Sequence, residues 1–293
     1  MRIARYGSAL ALAVLVLAAW APPALAAKAA ILTGYDVLAL PGGPATLRFK
    51  VERDNLLRYD LHGVRVEFRY QGLSALLGVA ASADDGYADL RLQVPRVPGD
   101  YYVEGRIAPG QRYFAPAQTL LLAVREPTAR LVITDIDHTI ADVEWYDFLW
   151  KSTPQVRPVR GAVQALRDIS ADATIVYLTA RDDGAALKTK GWLRYWGFPR
   201  GPVFFSDHLI PMLDPEPYKT DKIRSIKGFL PNIPCGFGDL STDARAYQAN
   251  GLRAFIFDTH NAGPFPPGSI VERDWDELRA ARRPELAWAS RFR

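Results

Sequence analysis

The chain has 293 residues, 49% hydrophobic and 23% charged, with 36 basic against 32 acidic side chains. That composition excludes disordered and fibrous classes and leaves room for two modest domains, each with its own core. No run of like charge is long enough to mark a nucleic-acid partner, and the single cysteine, Cys235, forms no intramolecular disulfide, so packing must hold the fold.

Arg2 and Arg5 precede an apolar run over 8–20, followed by Pro22, Pro23 and the small triplet Ala24-Leu25-Ala26. This is the order of a secretory signal peptide. The run is shorter than the roughly 20 residues that a membrane span needs. Residues 1–26 therefore read as a signal cleaved after Ala26, and the product as exported, periplasmic or secreted, with no transmembrane span.

From 27 to 126 the pattern has period two. The runs 46–53, 64–70 and 88–94 alternate apolar and charged residues, as half-buried antiparallel strands require. Pro41-Gly42-Gly43, Asp84-Asp85-Gly86 and Pro98-Gly99-Asp100 supply turns between them. This segment is predicted to be a small immunoglobulin-like β-sandwich. Its late strand over 99–105 carries an aromatic able to pin a corner.

After Glu126-Pro127 short apolar runs alternate with helical stretches, the pattern of βαβ units around a parallel sheet. Strands are predicted at 131–134, 174–178, 202–205, 234–237 and 254–257. Helices are predicted at about 160–170, 183–196, 218–230 and 241–250. Residues 127–293 form this second domain.

Ligands of open parallel sheets bind beyond the carboxyl ends of the strands. There the chain places Asp135-Ile136-Asp137-His138-Thr139 after the first strand, Thr179-Ala180-Arg181 after the second, and Gly238-Asp239-Leu240-Ser241-Thr242-Asp243 after the fourth. Tyr218-Lys219-Thr220-Asp221-Lys222 opens the third long helix. Asp135 and Asp137, two apart on extended chain, point to one side and repel unless a cation lies between them, and an oxygen-only set suits Mg²⁺. Singly, each motif has a plainer reading: Asp239 and Asp243 serve as helix caps, Thr179 as an N-cap and Lys219 as a solvated charge.

At these residues the chain resembles the haloacid dehalogenase superfamily over about 130–260. Its motifs run Asp-x-Asp-x-Thr, Ser or Thr, Lys, then an acidic pair. Within that superfamily the chain is most similar to lipin-type (LNS2-like) phosphatidate phosphatase domains, also found in phosphatidylinositol-transfer proteins. Arg160-Gly161-Ala162, Trp192-Leu193, Gly197-Phe198-Pro199 and the run 236–247 carry this closer likeness. The resemblance implies a Rossmann-like parallel sheet and a Mg²⁺-dependent phosphatase acting on a lipid phosphate, chiefly phosphatidate, at a membrane surface. It implies Asp135 as the nucleophile that becomes an aspartyl-phosphate and Asp137 as the general acid/base. Thr179, Ala180 and Lys219 would bind the phosphoryl group, Lys219 being preferred to Lys222 for its spacing to Ile223 and Ile226. Mg²⁺ would be held by Asp135, the Asp137 carbonyl, Asp239 and Asp243.

Two residues depart from the lipin pattern. His138 stands where those proteins have Gly, which predicts a backbone that tolerates a side chain and a turn residue packed beside the site. Asp239 stands where they have Asn. The stretch between Thr139 and Arg160 is too short for a folded cap, so large or surface-bound substrates are admitted. Its aromatic cluster, Trp145, Tyr146, Phe148, Leu149 and Trp150, is expected to pack under the flap or against the sandwich, with a lipid interface as the alternative. Residues 274–293 mix Leu278, Leu286 and Trp288 with arginines, and read as a solvated terminal helix or a basic amphipathic one. Two other functions stay open: a non-catalytic phosphatidate sensor of the cell envelope, and an adhesion protein whose second domain is a relic. Intact Asp135, Asp137, Thr179, Lys219 and Asp239 argue against both.

Overall fold

The computed structural model describes residues 27–55, 57–206, 214–259 and 262–292. The expected signal peptide, 1–26, lies outside the described residues. The N-terminal strands are β1 (Lys28–Tyr35), β2 (Val37–Ala39), β3 (Pro44–Arg53), β4 (Arg65–Tyr70), β5 (Leu76–Ala81), β6 (Tyr87–Gln93), β7 (Gly99–Ile107), β8 (Tyr113–Phe114) and β9 (Gln118–Val124). They form two sheets, ordered β6-β3-β1-β8 and β2-β9-β7-β4-β5. The period-two pattern is what brings the sheets face to face: Leu47, Phe49 and Val51 of β3 meet Val66 and Phe68 of β4 in one core. The Phe49 and Phe68 rings pack edge to face at 5.2 Å. The corner expected near the late strand is pinned by Tyr101, whose hydroxyl donates to the Val97 carbonyl at 2.8 Å.

β1 and β2 are one line of chain broken at Asp36, where it crosses from one sheet to the other. Asp36 is buried, and its carboxylate accepts from Leu121 N–H (2.8 Å), Val203 N–H (3.0 Å) and Lys190 Nζ (2.6 Å). A charge taken out of water needs such partners. Two of the three lie beyond the sandwich.

The rest of the chain contributes β10 (Leu131–Thr134), β11 (Ala141–Asp142), α1 (Trp145–Trp150), β12 (Arg157–Pro158), α2 (Ala162–Ile169), β13 (Thr174–Asp182), α3 (Ala186–Trp196), β14 (Val203–Ser206), α4 (Pro215–Lys227), β15 (Cys235–Gly238), α5 (Ser241–Ala249), β16 (Arg253–Phe257), β17 (Ile270–Glu272) and α6 (Trp275–Ala280). Six of these strands make a parallel sheet ordered β14-β13-β10-β15-β16-β17. Counted in chain order, this is the doubly wound arrangement whose direction reverses between β10 and β15, so a crevice opens beyond their carboxyl ends. Alternation sorts the two faces. Ile175 and Tyr177 of β13 enter the core shared with α2, α3 and α6, while Val176 and Leu178 face α4 and α5.

Leu38, Leu121 and Ala123 of the sandwich join that second face. Each half thus has a core of its own, as expected, and the β2–β9 edge of the sandwich also helps cover the parallel sheet.

Local differences from the sequence reading have simple causes. β13 continues through Thr179-Ala180-Arg181 to Asp182, because Asp182 pairs with Ser206 of β14. α4 begins at Pro215, whose fixed φ suits a first turn. β17, with only three residues, carried no readable period. The C-terminal stretch packs through its apolar side while Arg282 and Arg291 stay exposed: Leu278 and Leu286 are buried against the α2 side, and Arg279 and Arg283 pair with Asp168 and Glu272.

Asp36→Ala should lower stability by about 3 kcal/mol, because it strands the Lys190 ammonium and two buried N–H groups. Chemical denaturation of the variant beside wild type measures this. A change below about 0.5 kcal/mol, the range of ordinary surface substitutions, would refute it.

Candidate active site

β10, β13 and β15 deliver their carboxyl ends to one place. Asp135 follows β10, and its N–H donates to the Phe237 carbonyl at 2.8 Å, tying the loop to β15. The chain then turns tightly: Ile140 and Ala141 N–H both donate to the Ile136 carbonyl at 2.9 Å, and His138 N–H donates to the Ala141 carbonyl at 2.8 Å. Trp275, buried at the start of α6, donates its indole N–H to the Thr139 carbonyl at 2.8 Å and braces the turn from behind.

His138 has φ +51°, the left-handed region that favours glycine. The turn keeps the left-handed conformation and histidine, one of the side chains that region tolerates, occupies it at a modest cost. The imidazole is a turn side chain beside the site, with Nε2 3.3 Å from Glu144 Oε2.

Asp135 is buried, with Oδ1 2.9 Å from Lys219 Nζ. Lys219 comes from α4, also buried, and reaches Asp243 Oδ1 at 2.5 Å. Asp243 sits in the first turn of α5, and its second oxygen accepts from the N–H groups of Asp239 (3.3 Å) and Leu240 (3.2 Å). It therefore caps its helix and holds the lysine at once. Gly238 makes this approach possible, for a Cβ there would lie 2.5 Å from Asp243 Cβ. Asp239 points into the same space, where Thr139 Oγ1 donates to its Oδ1 at 3.4 Å. Lys222, by contrast, lies over the Phe204 ring at 5.1 Å.

One carboxylate oxygen each of Asp135, Asp239 and Asp243 fall within 4.8 Å of one another. Burial pushes the Asp135 carboxyl up to about 7, with Asp243 and Asp137 adding and Lys219 opposing. Burial and the same acidic neighbours hold Asp239 well above the usual carboxylate range. Burial disfavours the Lys219 ammonium, but Asp135 and Asp243 outweigh it and the group stays charged. Fully ionised, three buried carboxylates would outnumber one ammonium, and the raised Asp135 and Asp239 carboxyls express that imbalance. A hard divalent cation with oxygen ligands fits that donor set.

Asp137 is placed differently. Arg181 holds its carboxylate with a fork, Nε to Oδ2 at 2.8 Å and Nη2 to Oδ1 at 2.6 Å. The guanidinium is buried, donates to Thr189 Oγ1 at 2.9 Å, and stacks 3.7 Å from the Phe148 ring centroid. Arg181 balances Asp137, and the three-carboxylate cluster comprises Asp135, Asp239 and Asp243. Thr179 is buried on the same strand, its Oγ1 accepting from Arg181 N–H at 3.2 Å, and Ala180 lies half-buried between them. In the sequence, Arg181 carries no motif role beyond following Thr179-Ala180. Its position two residues after Thr179, on the same strand face, was the available signal.

The aromatic cluster divides. Phe148 is buried under Arg181, whereas Tyr146, Leu149 and Trp150 are exposed, Trp150 at 88%.

Residues 132–257 match the family of the LNS2 domain of PITM 1-3. The LNS2 match runs from within β10 to the end of β16, includes every motif residue above, and leaves the sandwich outside. No curated protein matches the chain. Among solved structures, the D00-D0 domain of intimin shares 18% identity over 33% of this chain and 46% of that one, at a TM-score of 0.25. Fibronectin(III)-like modules of Clostridium thermocellum CbhA share 12% over 33% and 98%, at 0.23. Invasin, a bacterial integrin-binding protein, shares 17% over 34% and 19%, at 0.24. The chain spans about half of the intimin fragment, and likenesses this weak carry no argument.

The raised Asp135 carboxyl sets a sign. The folded protein keeps this proton up to about pH 7 whereas an unfolded carboxyl releases it near 3.8, so Asp135 costs stability as pH rises through that window. With chelator present, Asp135→Asn should gain stability relative to wild type between these limits, by more than about 1.4 kcal/mol at the upper one. Added divalent cation should narrow the gap. Unfolding free energies at several pH values test this, and a gap independent of pH counts against it.

Proposed function

We propose that residues 127–293 are a phosphatase domain of the haloacid dehalogenase type. It hydrolyses a phosphomonoester through an aspartyl-phosphate on Asp135, with Mg²⁺ as cofactor and a lipid phosphate, chiefly phosphatidate, as substrate. The proposal places it in an exported protein, carried with an immunoglobulin-like sandwich. The observation that carries this reading is Asp135 itself: a buried carboxylate at the switch point of a doubly wound sheet, bridged to Lys219, beside Asp239 and Asp243, within the LNS2 match.

An Asp135 oxygen attacks phosphorus as the ester P–O bond breaks. Both Asp137 oxygens accept from Arg181 at rest, so to act as the acid its carboxylate turns from the guanidinium, takes up a proton from solvent, and gives that proton to the departing alcohol oxygen. Thr179 and the Ala180 N–H hold a phosphoryl oxygen, and Lys219 offsets charge gathering on the phosphoryl group and Asp135. Asp137 then takes a proton from water, the water oxygen attacks phosphorus, and the bond to Asp135 breaks to release inorganic phosphate. Mg²⁺ held by Asp135, Asp239, Asp243 and the Asp137 carbonyl would let an anionic nucleophile meet an anionic phosphate.

Support for a lipid substrate comes from the rim. The stretch between Thr139 and Arg160 folds only into the β11–β12 pair, α1 and a 3-10 turn, Thr153–Gln155, so it adds no folded cap. Exposed Tyr146, Leu149 and Trp150 lie on α1, whose Phe148 touches Arg181. Aromatic side chains of this kind suit a membrane–water boundary.

The test is phosphate release by residues 27–293, with and without Mg²⁺, on phosphatidate in mixed micelles and on a soluble phosphomonoester. Asp135→Asn should abolish Mg²⁺-dependent release, a loss of at least about 10³-fold as expected for a deleted nucleophile. Phosphatidate should be the better substrate. Binding to phosphatidate vesicles with no release from either substrate would replace the enzyme by a sensor.

A further inference from the structure

The sandwich reaches the edge of the candidate active site through one buried cluster. β13 ends at Asp182, and a 3-10 turn, Asp183–Ala185, leads into α3. Asp183 is buried, and both partners of its carboxylate come from the sandwich: the Tyr35 hydroxyl donates to Oδ2, and Lys50 Nζ lies 3.4 Å from the same atom. Lys50 stands between Asp183, Glu52 (3.7 Å) and Asp60 (3.6 Å), with the Tyr87 ring 5.5 Å away. On the next residue, the Gly184 carbonyl accepts from Arg58 Nη1 at 3.1 Å. Arg58 has φ +44°, a conformation an arginine adopts at a cost, and its N–H is tied to Asn55 Oδ1 at 2.9 Å.

Mere attachment of the sandwich does not call for this cluster. Attachment is already supplied by the residue after Tyr35, Asp36, which binds Lys190 and the N–H of Val203 that opens β14, and by the shared apolar face. The Asp183 cluster adds a grip on the chain just past the end of β13. Arg181, two residues earlier on β13, holds both oxygens of Asp137. Burial, with Asp183 beside it, raises the Tyr35 hydroxyl far above its ordinary range, so it stays a donor at any working pH.

We propose that Tyr35 and Lys50 are positioning residues of the active site: by anchoring Asp183 they fix the end of β13, so that Thr179 and Arg181 present the phosphoryl site and Asp137 in register with Asp135. This rests on the phosphatase reading. It makes the sandwich a working part of the catalytic centre, acting through backbone placement and touching no substrate.

The test uses the full chain from residue 27. Tyr35→Phe removes the hydroxyl, Lys50→Met the ammonium, and Asp183→Asn lowers the buried charge where Lys50→Met folds poorly. Arg69→Ala, in β4 and paired with Glu67, controls for damage to the sandwich alone. On a soluble phosphomonoester with Mg²⁺, Tyr35→Phe and Lys50→Met should each lower kcat by about tenfold or more with KM within about twofold, the signature of misplaced groups. Lys50→Arg should restore most of kcat, and Arg69→Ala should change neither constant. Amide hydrogen exchange should quicken over 179–185 and stay unchanged over 133–136 and 236–238. Wild-type kcat and exchange in both Tyr35→Phe and Lys50→Met would overturn the proposal. So would a fall in kcat that Arg69→Ala reproduces. Faster exchange over 179–185 in a protein that releases no phosphate would sink the phosphatase reading and leave the anchoring of β13 by the sandwich standing.

Discussion

Concentrated negative charge at the end of a parallel sheet is the constraint around which this molecule is arranged. One carboxylate oxygen each of the buried Asp135, Asp239 and Asp243 lie within 4.8 Å of one another, and among the described residues Lys219 is the cation that reaches Asp135 and Asp243. Such a cluster is intrinsically unfavourable, so it persists only where the surrounding structure over-determines it. Three devices do that here. α5 anchors Asp243 through its own capping bonds, Gly238 lets that carboxylate approach the strand end, and α4 delivers Lys219 buried and charged. The charge imbalance is the property a divalent cation and an incoming phosphate would use together.

Much of this was legible in the chain. Apolar strands followed at once by Asp135, Thr179 and Asp239 are a pattern that chain chemistry forces, because a buried strand must end where polar groups begin. Lys219 was legible through the resemblance, which its spacing to Ile223 and Ile226 fits; by itself it read as a solvated charge. What stayed hidden depends on contacts across long sequence separations. Arg181 looked like one more charged residue until the fold brought Asp137 and Phe148 to it. His138 read as a turn residue, and only the fold shows that its backbone is left-handed. Arg279 and Arg283 looked solvated because nothing local shows that Asp168 and Glu272 await them.

The relation between the two halves was the least legible feature of all. Period-two patterning reports that a strand has a buried face, and says nothing about what covers the other face. β9 illustrates this: Leu120 and Leu122 fill the sandwich interior, while Leu121 and Ala123 on the same strand close the parallel sheet. A strand buried on both sides reads as a continuous apolar run, and 120–124 is one. Apolar contact along β2 and β9 and polar contacts at Asp36 and Asp183 thus join the halves.

The crossing of the chain at Asp36 has a consequence for the order in which the molecule can be completed. The sandwich strands are all present once residue 124 has emerged, yet two partners of the Asp36 carboxylate, Lys190 and Val203, are still to come. Until they arrive, the half-built molecule carries Asp36 with one of its three partners, the Leu121 N–H, and an uncovered apolar edge at Leu38, Leu121 and Ala123. The sandwich is therefore no portable module to be cut free and grafted elsewhere. It is a foundation poured with its reinforcing bars showing, and the later half of the chain is what they were left to meet.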